Sequence, residues 1–154
     1  LISPALEEAK VALAKAVADE KKDWDHIANP IFSLDYPAWE SSFKSELNAV
    51  VSVEKNGFKL EAIVSDANEF VSLEKSVTDF FSQNPDFSVN EKDQVLDFYF
   101  VTYAKTGPVE PVTFYALFAK KAGHLVRVVF SGTQEQQDEY NAVVLKTFKS
   151  FQLE

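Results

Sequence analysis

The chain has 154 residues and a formal net charge of −9, and Arg127 is its one arginine. That balance repels nucleic acid and anionic membrane surfaces. The absence of cysteine excludes disulfides, thiolate zinc sites and a cysteine nucleophile.

A chain of this length fits one main domain able to bury a sizeable core. With 14 phenylalanines and no methionine, that core must be built from rigid aromatic and β-branched side chains, a palette that favours sheet. No apolar run reaches the length of a membrane-crossing helix. The chain begins at Leu1, which reads as a trimmed or processed N-terminus, with a signal peptide, a lipoprotein spacer and a cut chain as the options.

In chain order, residues 3 to about 25 read as a helix, with Ser3 as N-cap, Pro4 in the first turn, and Leu6, Ala9, Leu13, Val17 and Trp24 at helical spacing. Asn29-Pro30 closes it, and residues 1–30 are expected to form an N-terminal arm. Residues 31–39 read as a strand stopped by Pro37, and residues 41–46 as a polar loop. Residues 49–54 and 58–65 flank Lys55-Asn56-Gly57, the strongest short hairpin signal. A helix from Ser72 to Gln83 follows, with Leu73, Val77 and Phe80 on one stripe.

Residues 87–96 read as a polar edge strand, and residues 97–105 as a strand apolar on both faces. After a Gly-Pro turn, residues 113–119 and 125–130 are again apolar on both faces, joined by residues 120–123. Two-sided apolar strands require cover above and below the sheet. Thr133 and Gln136 form a capping box that starts a last helix, with Tyr140, Val143, Val144, Phe148 and Phe151 as its buried stripe. The fold class expected is α+β: a mostly antiparallel sheet of about six strands with helices on both faces, an α/β/α sandwich over residues 31–154.

The order of elements carries a likeness. Tyr36-Pro37 with Trp39 ends the opening strand, Ser72-Leu73-Glu74 introduces a helix, and Phe130-Ser131-Gly132-Thr133 leads into a helix that carries Tyr140 and closes on Lys149-Ser150-Phe151. Over residues 31–153 this resembles the PsbP-like superfamily, which includes a Ran-binding nuclear release factor and bacterial lipoproteins. The resemblance implies a binding or assembly factor with no enzymatic activity. It supplies no ion-linked residues that match positions here.

The remaining candidates each have a plain alternative. Asp23 and His26, three apart, would share a helix face, but a metal needs more ligands, and a helix end favouring a histidine accounts for them. His124 follows a turn glycine and has no partnering motif. Ser131-Gly132-Thr133 could offer backbone N–H groups to an anion, yet the turn and cap use the same residues. Arg127 interrupts an apolar strand and could anchor an acidic ligand or partner. Tyr99, Tyr103 and Tyr115 could line an apolar pocket, although aromatic strand residues are mostly core. Of Phe80 and Phe81, one is core, and Phe81 is the candidate for a partner surface.

The expected function is a non-catalytic module that binds another protein, with no cofactor and no bound metal. The alternatives are a carrier of small apolar ligands, with a pocket between sheet and helix, and a metal-dependent hydrolase using His26 or His124. The expected location is extracytoplasmic with a lipid tether as an option, and cytoplasmic as the alternative.

Overall fold

The computed structural model describes residues 8–10 and 23–154; residues 8–10 are helical, and residues 3–7 and 11–22 of the expected N-terminal helix lie outside the described residues. The elements are β1 (Trp24–Ala28), β2 (Phe32–Pro37), β3 (Glu40–Ser41), β4 (Ala49–Lys55), β5 (Phe58–Asp66), α1 (Leu73–Gln83), β6 (Ser88–Val95), β7 (Phe98–Lys105), β8 (Val112–Lys121), β9 (His124–Gly132), α2 (Gln134–Glu139), α3 (Asn141–Ser150) and β10 (Gln152–Leu153). Seven strands form one sheet in the order β3-β4-β5-β9-β8-β7-β6, and β1-β2-β10 form a second of three. Every strand pair is antiparallel.

The large sheet buries both faces, as its two-sided strands require. On one face Tyr99, Val101, Tyr103, Ala116 and Phe118 meet Val77, Phe80 and Phe81 of α1. On the other, Phe58, Leu60, Leu117, Val128 and Phe130 meet Phe32 and Leu34 of β2, Val144 of α3 and Phe151. A bulge between Ala49 and Val51 turns Ala49 to the α1 face, while Val51 and Val53 join the other core. The Asn56-Gly57 turn has φ of 53° and 81°, both in the left-handed region that a two-residue hairpin demands.

Several expectations are corrected. Trp24 and Asp25, read as helix, lie in β1 with His26, and Trp24–Ala28 pairs residue for residue with Pro37–Ser33 of β2. The strand at residues 31–39 therefore belongs to the second sheet, and the described residues carry ten strands where about six were expected. The last helix is broken at Tyr140 (φ −96°, ψ 16°). Its ring stacks 5.1 Å from Phe58 and meets Trp39 edge-on at 5.6 Å, while its hydroxyl accepts from Asn56 at 3.1 Å. Those contacts hold the ring in the core and interrupt a uniform helical run. Phe151 is buried one residue past α3, as its cap.

Candidate functional site

Helix α1 covers β7 and β8, leaving the β5–β9 part of the same face to be roofed by loops. A cleft of about 670 Å³ opens there. Strand alternation places Lys59, Glu61 and Ile63 of β5 beside Arg127 and Val129 of β9 on its floor, with Phe80 of α1 and the helix's C-cap Asn84 on one wall. Two loops border it: residues 42–48 ahead of β4, and residues 67–72 ahead of α1.

The charges on the floor fasten the first loop. The Glu61 carboxylate accepts from the Ser45 backbone N–H at 2.9 Å and from its hydroxyl at 2.7 Å. Lys59 donates to the Phe43 carbonyl and lies 3.7 Å from Glu61. Arg127, its side chain 11% exposed, donates to the Glu46 carboxylate, donates to the Tyr103 hydroxyl at 3.4 Å, and lies 4.5 Å over the Phe80 ring. Burial pushes the Tyr103 phenol up from its ordinary range, against a smaller downward pull from Arg127. The second loop is held in the same way, because Lys120 donates to the carbonyls of Asn68 and Val71.

Each fastened loop points an aromatic ring into solvent. Phe43 is 94% exposed and Phe70 is 91% exposed, and Leu47 is fully exposed beside Glu46. Singly exposed apolar residues are ordinary, as Leu96 and Val109 are here; Phe43, Leu47 and Phe70 differ in sitting on two fastened loops that border one cleft. Ser45 and Glu61 close on one another as an anchor, so the hydroxyl is spent on holding the loop.

Arg127, Tyr103 and Phe81 come together here: Phe81 meets Tyr103 edge-on at 5.0 Å. Phe81 is half-buried in the α1 core and faces Phe80 at 5.0 Å. Tyr99 and Tyr103 are buried on that face too, as packed core. Tyr115 lies on the opposite face, packed against the α3 core, and its hydroxyl accepts from Gln134 at 2.9 Å. The three tyrosines thus line no common pocket.

His26 meets Asp35 at 2.6 Å across the β1–β2 pair, both more than half exposed, while His124 begins β9 opposite Asp66 and Lys121. Among the described residues no group of three metal-ligating side chains assembles. Ser131 borders the cleft, and the Thr133 cap and Gln136 close the helix start on themselves. Sequence reasoning missed Phe43, Leu47, Phe70, Glu46 and Glu61. The available signal was apolar residues set inside otherwise polar loops.

No protein-family model and no curated protein sequence matches the chain. Among solved structures it is similar to the solution structure of cyanobacterial PsbP (CyanoP) from Synechocystis sp. PCC 6803, with a TM-score of 0.60 at 12% sequence identity. The match covers 86% of this chain and 94% of that one. At that identity the likeness speaks for the fold alone, and it agrees with the antiparallel sheet covered on both faces: the fold of this chain is PsbP-like.

Proposed function

We propose that the chain is a non-catalytic binding or assembly module that docks another protein on the rim of the α1-side cleft. One observation carries this reading. The two loops that border the cleft are fastened to the sheet by charged side chains, and those loops hold Phe43, Leu47 and Phe70 outward. Holding apolar groups in a fixed exposed arrangement lowers the ordering cost of association. Aromatic anchors within a polar surround are the pattern of interface hot spots.

The partner fitting this rim is a protein surface with an apolar centre and polar periphery, because the cleft between the anchors carries both signs of charge. The experiment compares quantitative capture of host proteins by the wild-type chain and by the Phe43→Ser/Phe70→Ser variant. The reading expects a defined partner to be lost from the variant while its thermal midpoint is kept. Equal capture by both chains rejects it.

We further propose a location outside the cytoplasm, on the likeness of this PsbP-like fold to a superfamily that includes bacterial lipoproteins. No helix among the described residues is long and apolar enough to cross a membrane. Fractionation of host cells that finds the protein only in the cytosol rejects this location.

A further inference from the structure

On the face opposite the cleft, the described residues cover the sheet incompletely. Helix α3 and β2 pack on β5, β9 and β8. Over β7 the aromatic contacts among the described residues are two, Phe98 with Phe151 at 5.4 Å and Phe100 with Phe148 at 5.7 Å. Beyond them a groove of about 330 Å³ runs along α3, with Phe100, Thr102, Tyr115, Leu145 and Phe148 in its walls. Leu145 turns half its surface to solvent although Val144 beside it is buried.

The borders of the groove differ in charge. On the α3 side stands Lys149. On the other, the β6–β7 register sets Asp93 opposite Phe100 and Glu91 opposite Thr102, so both exposed carboxylates stand on the groove's face of the sheet. Apolar rings along the floor with opposite charges on the two borders match an amphipathic helix, which lays its apolar stripe in a groove and keeps its charged flanks outside.

We infer that this groove is a second docking surface, and that it takes an amphipathic α-helix of a partner protein. The helix lies alongside α3 with its apolar stripe on Phe100, Tyr115 and Leu145, basic side chains toward Glu91 and Asp93, and acidic ones toward Lys149. This surface is on the other side of the sheet from the cleft and does not depend on what binds there.

The test uses a fluorescein-labelled helical peptide with leucines at i, i+3, i+4 and i+7, lysines on one flank and glutamates on the other, measured by anisotropy and by amide chemical shifts. Saturable binding is expected, with shifts in α3 and β7. Replacing the leucines with serine should abolish it. Glutamates on both flanks should weaken it about tenfold, and the Glu91→Lys/Asp93→Lys protein should recover that loss. Leu145→Asp should remove binding while the thermal midpoint holds, because the side chain is already half exposed.

The inference is overturned if the peptide binds no better than its serine counterpart, or if Leu145→Asp binds equally well. Shifts confined to the free edge of β6 would also overturn it, since they indicate strand addition. So would preferential uptake of a small apolar probe such as ANS that the peptide cannot displace.

Discussion

The Arg127 guanidinium lies 4.5 Å over the ring of Phe80. From that position it holds the sheet to α1 through the ring and to the loop of residues 42–48 through Glu46. Arg127→Met keeps much of the side chain's volume but removes the cation–π contact and leaves the Tyr103 hydroxyl without its donor. A loss of about 1–2 kcal/mol is expected by denaturant unfolding. Since Glu46 is 45% exposed, a double-mutant cycle with Glu46→Gln should give a coupling below about 1 kcal/mol.

Glu61 tests whether the loop is fastened by the sheet. It is buried, and its carboxylate takes both hydrogen bonds that Ser45 offers. Glu61→Ala should cost about 1–3 kcal/mol and sharply raise amide exchange at Ser45, while exchange in β7 and β8 changes little. Unchanged exchange at Ser45 would show that the loop holds itself.

How much of this was legible in the sequence depends on the distance over which each feature is decided. The Asn56-Gly57 hairpin and the Thr133–Gln136 capping box are set by neighbouring residues, and both appear where the sequence places them. The two-sided strands foretold helices on both faces for a similarly local reason. Trp24–Ala28 did not read as a strand, because its pairing with β2 is tertiary and the helical periodicity ahead of it runs on through Trp24. Arg127 stood out as a charge in an apolar strand, but its partner Glu46 is 81 residues away and nothing local names it. Phe81 illustrates the converse: helical direction separates it from Phe80, yet both pack in one aromatic cluster around Tyr103 and Phe118.

Tyr103 links the core to pH. Burial raises its phenol above the usual value of 10.0, so the folded state favours the neutral form. The unfolded chain therefore loses this proton first as pH rises. Stability from this group is fully present below about pH 10 and is lost as pH climbs through the folded value. Tyr36, raised by burial and then by Asp25, acts in the same direction. Thermal midpoints from pH 8 to 11 should fall more gently in Tyr103→Phe than in the wild type. Parallel curves would contradict this.

Two glycines should fail for different reasons. A Cβ on Gly132 would lie 2.5 Å from the Gln136 amide oxygen and 2.6 Å from a Phe58 ring carbon, so Gly132→Ala must displace the capping box or the core. A cost of about 1–3 kcal/mol is expected. Gly57 has open space around it but a φ of 81°, and Gly57→Ala should cost about 1 kcal/mol through backbone strain alone. Stability measurements on both chains check the order.

The central claim is that the fastened loops present a protein-docking rim, and the most direct measurement is photo-crosslinking in the host. A benzophenone side chain would replace Phe43 or Phe70, with the exposed Glu139 of α2 as the control position. Positions 43 and 70 should give the same discrete protein adduct, and position 139 should not give that adduct. Adducts that are absent at both rim positions, or equally abundant at all three, would contradict the account.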